Sequence, residues 1–361
     1  MKIGSFFLGN RRTVKPFFVG SYGNDLTRGV YAFHLDINNG EILKKGHFKS
    51  PSNPTAMYKR DRFTFVCYKN NSGRATDGGM SQYAAMDSQF GLAAQVYNQG
   101  KTFMDCFINQ DRSYAYAVDY YNNEIVVIPF VKQKIIKVTQ TLKHYGSGPV
   151  EKRQEQPHPH YIDETPDSKR IFVCDLGIDQ VVMYSIGEKG MLFRDSENTI
   201  DLTPGSGPKK MIFSPNGQYA YVLNELSNTV CVYQYEDCHF TFIQEIDTFP
   251  KDEYTGKSLA GDILITPTGD YLMVTNRGHD SVSAFEVQDN GKLVFVEYMD
   301  TDENPRSMLL IDDHWLIIAA QKGGTLETFE LKRNESKGVL YETHYNYMIG
   351  EPICMIEGKE Y

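Results

Sequence analysis

A single tryptophan, no CxxC pair and no long apolar run mark this 361-residue sequence first by what it lacks. The six cysteines (Cys67, Cys106, Cys174, Cys231, Cys238, Cys354) are scattered, which excludes zinc-ribbon spacing and argues against a disulfide framework. Several lie in apolar runs, where cysteine packs as a small hydrophobe. We therefore read a reduced, cytoplasmic chain. No stretch approaches the roughly 18 apolar residues of a membrane helix. The opening MKIGSFFLGNRR is too short for a signal-peptide core and has no small-residue cleavage site after it. Basic excess is also missing. Lys and Arg number 37 against 46 Asp and Glu, a formal net charge of −9, which argues against nucleic-acid and membrane partners. No GxSxG elbow and no P-loop occur, and Gly205-Ser206-Gly207 is not followed by a helical pattern, so a dinucleotide site is not expected.

What the chain has is repetition. Seven strand-like segments begin FFVGSY at Phe17, TFVCYK at Thr64, AYAVDY at Ala115, IFVCDL at Ile171, AYVLNE at Ala220, LMVTNR at Leu272 and LIIAAQ at Leu316. Their spacing is about 50 residues, the range of propellers and solenoids. Most are followed by a Gly/Asn turn and a second apolar run, as Leu226-Ser227-Asn228 leads to TVCVYQY. Several are preceded by a Pro/Gly turn such as Ser214-Pro215-Asn216-Gly217, itself preceded by a short strand. With 24 Tyr and 21 Phe, the composition suits strands. One unit reads strand, turn, strand, turn, strand and a variable edge strand. The expected fold is therefore all-β: a seven-bladed β-propeller of four-stranded antiparallel blades, one domain over residues 1–361. The second unit is the least regular, with NNSGRATDGG (Asn70 to Gly79) expected as a long loop. The N-terminal strand is expected beside the last blade at ring closure, with the contribution of each end left open.

Aligning the units sets two columns at one mouth of the channel. The start of each first strand and the end of each second lie together, opposite the Pro/Gly turn. The first column contains His160, Lys209, Gly261 and Arg306; the second contains Tyr22, Lys69, Tyr120, Leu176, Glu225, Arg277 and Gln321. Solvated strand ends carry polar residues anyway, so no single member means much. A set of converging cations on an acidic protein points to an anionic ligand. His158 and His160 form an HxH pair, expected on one face of a strand. A zinc site has no second pair at ligand spacing to support it, and a structural histidine is the plain alternative.

The sequence resembles the seven-bladed propeller lactonase family, which includes bacterial 6-phosphogluconolactonases and fungal carboxymuconate-lactonising enzymes. The resemblance rests on QPHPHY (Gln156 to Tyr161), GSGPKKMIFSPNGQYAYVLNEL (Gly205 to Leu226) and AGDILITPTGDYLMVTNRGHDS (Ala260 to Ser281), with NPRS (Asn304 to Ser307) and IGEPICMIE as weaker support. It implies a catalytic set of His160, Glu225, Arg277 and Lys209. The family motif usually reads GPRHM; here it reads GPKKM, so Lys209 stands at the arginine and Lys210 at the next histidine. Lysine keeps the charge but loses the bidentate fork.

The implied activity is lactone hydrolysis, with 6-phosphogluconolactone in glucose metabolism and the pentose phosphate pathway as the leading substrate. Glu225 or His160 serves as general base. Arg277 and Lys209 stabilise the oxyanion. His158, Lys210, Arg306, Gln321 and Lys69 are candidates to hold the substrate. The scheme requires no metal and no cofactor. Glu225→Gln and Arg277→Ala are expected to lower turnover without unfolding the protein. The protein is expected to be a monomer or weak homodimer. Two alternatives stand: a muconate-type or other acidic lactone, and a non-catalytic binding platform, although the GH…WD signature of interaction propellers is absent.

Overall fold

The computed structural model describes residues 13–358 other than 25, 49–52, 70–77, 87–88, 98–101, 110, 112 and 334–337. The expected long loop of the second unit thus falls largely outside the described residues. Seven sheets form seven blades around a ring, numbered I to VII in the chain order of their second strands Val14–Ser21, Phe63–Tyr68, Tyr114–Asp119, Arg170–Asp175, Tyr219–Asn224, Tyr271–Arg277 and Trp315–Ala320. Blade V is typical, with strands Pro208–Phe213, Tyr219–Asn224, Thr229–Glu236 and His239–Asp247 in antiparallel order from the inside outward. Each innermost strand neighbours the next around the ring.

The two middle strands of a blade are apolar on both faces because both faces are covered by neighbouring blades. In Tyr219–Asn224 the alternation sends Ala220 and Val222 toward blade IV, and Tyr221 and Leu223 toward blade VI. The core is therefore a ring of clusters, one at each junction between blades. Polar stitches cross the junctions where a tyrosine or tryptophan is buried. Tyr221 Oη donates to Gly291 O at 3.2 Å, and Trp315 Nε1 donates to Ile37 O at 3.0 Å. Gly40 sits under the Trp315 ring at φ +80°; a Cβ there would lie 2.7 Å from it.

Two details differ from the regular repeat. Ring closure uses the C-terminal strand Pro352–Glu357, which pairs with Val14–Ser21 and becomes the inner strand of blade I. Blade III has a five-stranded sheet, because its third strand, Glu124–Val131, pairs with two short outer pieces, Lys134–Ile135 and Gln140–Lys143. No helix among the described residues is long and apolar enough to cross a membrane.

Candidate active site at the channel mouth

Every inner strand carries a bulge at its start. In blade IV, Pro159 faces Asp175 and Tyr161 faces Cys174, which leaves His160 unpaired between them. In blade V, Pro208 and Lys210 are paired and Lys209 is left over. In blade VII, Arg306 is left over between Pro305 and Ser307. The same break releases Thr55, Met104, Ile353 and, in blade VI, Gly261 with Asp262. A bulge re-aims the extra side chain. Here all of these positions line one cavity of about 280 Å³ in the channel. Five of the seven inner strands begin with proline, which fits because the first strand residue can forgo a ladder donor.

The bulge corrects the expectation for the histidine pair. His160 enters the channel, whereas His158 is buried beside it, its Nδ1 3.0 Å from Tyr120 O and its ring stacked on Tyr120 at 4.2 Å. Simple strand alternation does not apply because His158 precedes the strand and His160 is itself the residue left out of register.

The second column is fastened to the first by backbone bonds. Glu225 N donates to Gly207 O at 2.8 Å, Lys69 N to Asn53 O at 3.1 Å, Leu176 N to His158 O at 3.1 Å and Gln321 N to Asn304 O at 2.8 Å. This sets Glu225 among cations. Lys209 Nζ lies 2.9 Å and Arg277 Nη2 2.6 Å from Glu225 Oε2, while Arg153 Nη2 donates to Oε1. Arg277 Nη2 also donates to Ala260 O at 2.9 Å. The Lys209 ammonium has Glu225 as its ion-pair partner, and buried Arg277 Nε has no hydrogen-bond acceptor.

Burial alone would raise the Glu225 carboxyl, but Arg277, Lys209, His160 and Arg153 together hold it well below the carboxylate range. Burial, with Arg277 and Arg306 nearby, pushes the Lys209 ammonium down to about 7 against the opposing pull of Glu225. Burial and the charges of Lys209, Arg306 and Arg277 hold His160 well below its usual value, so it is neutral at pH 7.

The remaining expected residues form a second group across the mouth. Arg306 Nη1 donates to Gln321 Oε1 at 3.1 Å and has no carboxylate partner among the described residues. Lys69 Nζ sits 3.9 Å above the Tyr22 ring, a cation–π contact. Glu351 lies near both cations as the local counter-charge. Lys210 is placed elsewhere: its Nζ is paired with Asp262 Oδ1 at 2.7 Å, within the cavity wall rather than in either group. Deeper acids accompany it, and burial raises Asp105 to about 7.

Arg153 was not among the residues the repeat pointed to. It lies in the long connection between blades III and IV, which has no counterpart to align. Its only sequence signal is a cation close to the QPHPHY motif. Among the described residues, no cluster of three or more His, Cys, Asp or Glu is arranged to hold a metal. A larger cavity of about 780 Å³ lies at the opposite ends of blades II and III, lined by Arg60, Phe63, Phe65 and Phe130, and contains none of these site residues.

Comparison with known proteins places the chain in a family. The family model described as "Lactonase, 7-bladed beta-propeller" matches residues 16–357. A Staphylococcus saprophyticus protein without an assigned activity is 31% identical over 94% of this chain and 97% of its own. A 6-phosphogluconolactonase of Bacillus subtilis is 29% identical, covering 94% and 97%. Among solved structures, the periplasmic gluconolactonase of Pseudomonas aeruginosa is 25% identical, with a TM-score of 0.87 over 96% of this chain and 99% of that one. A Bacteroides fragilis structure at 24% identity and TM-score 0.88, covering 97% and 99%, shares the fold. With its ring of seven blades and a family match running through all of them, the chain belongs to the seven-bladed β-propeller lactonase family.

Proposed function

We propose that the protein hydrolyses an anionic sugar lactone, with 6-phosphogluconolactone as substrate and 6-phosphogluconate as product. The observation that carries this reading is a buried cluster at the mouth of a channel, in which Lys209 and Arg277 share Glu225 and Arg277 Nε is left without a hydrogen-bond acceptor. A buried donor of this kind calls for an acceptor that arrives with a ligand. The relatives named for gluconolactone chemistry support the substrate class.

In this scheme His160 is the general base. It is neutral at pH 7 and lines the cavity, whereas the Glu225 carboxylate is committed to three cations. His160 takes a proton from water as the water oxygen attacks the lactone carbonyl. Lys209 and Arg277 stabilise the oxyanion. Collapse breaks the bond from the carbonyl carbon to the ring oxygen, which receives the proton from the His160 imidazolium. Glu225 keeps the cations in register. Arg306 and Lys69, with Gln321, hold the phosphate. The protein works as a monomer or weak homodimer in the cytoplasm, where six free cysteines are at home.

The test is the rate of 6-phosphogluconolactone hydrolysis over the spontaneous rate, beside unphosphorylated gluconolactone and with Arg277→Ala as control. Acceleration that falls about 100- to 1,000-fold in the variant is expected. Equal rates for wild type and Arg277→Ala would remove the scheme. A preference for the unphosphorylated lactone would remove the phosphate assignment of Arg306 and Lys69.

A further inference from the structure

The scheme above draws its chemistry from repeat strands, and the connection between blades III and IV stands apart from them. Residues 145–157 leave the outer strand Gln140–Lys143 and enter the inner strand Pro159–Glu164. Both ends of this loop are fastened to one buried carboxylate. Asp175 Oδ2 holds His144 Nδ1 at 2.5 Å, and Asp175 Oδ1 accepts from His158 N at 2.6 Å. The far side of the His144 ring is held by Tyr184 Oη at 2.6 Å.

The middle of the loop is pinned by Gln154, which is fully buried. Its Nε2 donates to Leu176 O at 2.8 Å and Asp179 Oδ1 at 2.7 Å, and its Oε1 accepts from Val150 N at 3.1 Å. Gly148 packs on this amide so closely that a Cβ would lie 2.5 Å from Oε1. Arg153 N and Gln154 N both donate to Val150 O, at 3.1 Å and 2.8 Å. The loop is therefore a rigid bracket, and Arg153 is the residue beside its central pin.

The guanidinium of Arg153 donates through Nη2 to Glu225 Oε1 and also bonds the Tyr120 hydroxyl. No other acceptor for its side chain is found among the described residues, which leaves part of a five-donor fork unspent. Its side chain is 32% exposed, against 4% for Glu225, 8% for Lys209 and 10% for Arg277. Within this cluster it is the group that meets an incoming ligand first.

We propose that Arg153 contacts the substrate directly, the unspent donors of its guanidinium receiving the carboxylate that forms as the lactone opens. The proposal rests on the lactonase reading for the identity of that carboxylate. A planar fork matches a carboxylate in a way the single ammonium of Lys209 does not. Because the guanidinium is tied to Glu225 and Tyr120 and the loop is pinned, the fork is already oriented and little is lost in ordering it. Arg306 and Lys69, across the mouth, serve the phosphate, so the two ends of the product are read by different residues.

Calorimetric binding separates these roles without requiring turnover. Three probes are titrated into wild type, Arg153→Lys and Arg153→Ala: 6-phosphogluconate, gluconate and glucose 6-phosphate. Arg153→Ala should weaken 6-phosphogluconate and gluconate tenfold or more and leave glucose 6-phosphate within about twofold. Arg153→Lys, which keeps the charge and most of the stem, should fall between. Equal weakening of all three probes would make Arg153 a support for Glu225 only, and unchanged binding or no binding by wild type would overturn the proposal. If carboxylates bind through Arg153 but no lactone is hydrolysed, the hydrolase reading fails and the binding assignment stands.

Discussion

At the scale of single residues, Lys209 decides how this site responds to pH. Arginine, usual at this place in the family motif, stays charged throughout the working range, whereas Lys209 titrates near 7. If its cation stabilises the oxyanion, enzymatic turnover above the spontaneous rate should decline as pH rises through 7. Lys209→Arg should remove that decline and extend the plateau to alkaline pH; a variant profile that overlays wild type would exclude the role. Stability runs the other way. The folded-state value lies below the ordinary lysine value of about 10.4, so between the two the unfolded chain binds more protons and Lys209 favours folding as pH rises. Asp105 is the mirror case. Burial raises it to about 7, so it costs stability as pH climbs through that value. Asp105→Asn should raise the thermal midpoint at pH 8, by on the order of 2 kcal/mol of stability, and change little at pH 4. Glu225 also needs a revised expectation. Its removal would leave three cations unbalanced in a buried setting, so Glu225→Gln should cost about 3–5 kcal/mol as well as turnover.

At the scale of elements, what could be read from sequence follows from what repeats. Positions tied to the repeat, such as Lys209, Arg306, Glu225 and Arg277, could be lined up because turn chemistry and strand length fix their register in every blade. The different places of His158 and His160 were not legible because a bulge leaves no composition signal beyond a proline, and it puts the unpaired His160 in the cavity while His158 stays before the strand, stacked on Tyr120. Lys210 carried the right charge, but its pairing with Asp262 of the next blade is a contact between units that alignment cannot show. Arg153 was missed because its loop obeys no repeat; its place is set by tertiary bonds through Gln154 and Asp175. The strands themselves depend on burial across blades. Tyr221 is fully buried between blades V and VI and donates to Gly291 O. Tyr221→Ala should lower stability by about 3–5 kcal/mol in chemical denaturation. Tyr221→Phe, which loses only the hydroxyl, should lower it by about 1 kcal/mol.

At the scale of the whole molecule, the fold is a closed circuit of neighbours. Blade I is completed by the strand Pro352–Glu357, so the first and seventh blades are joined through residues far apart in sequence. Removing residues 352–361 would strip blade I of its inner strand and expose the edge of Val14–Ser21. Limited proteolysis and thermal unfolding should show a protein that no longer melts in one step; a single transition near the wild-type midpoint would mean that closure adds little. The fold class was legible because seven units of similar length can bury their faces only on one another. The bulges give this circuit another property. Six of them free one inner-strand position from ladder pairing and that of blade VI frees two, while the flanking residues stay paired; where the freed side chain makes no bond to the frame, it can change with little disturbance to the blade. The ring thus resembles a keyboard with interchangeable keys. Met104 and Ile353 occupy keys that carry no charge here, and new substrate preferences can be written at those places while the rest of the frame stays as it is.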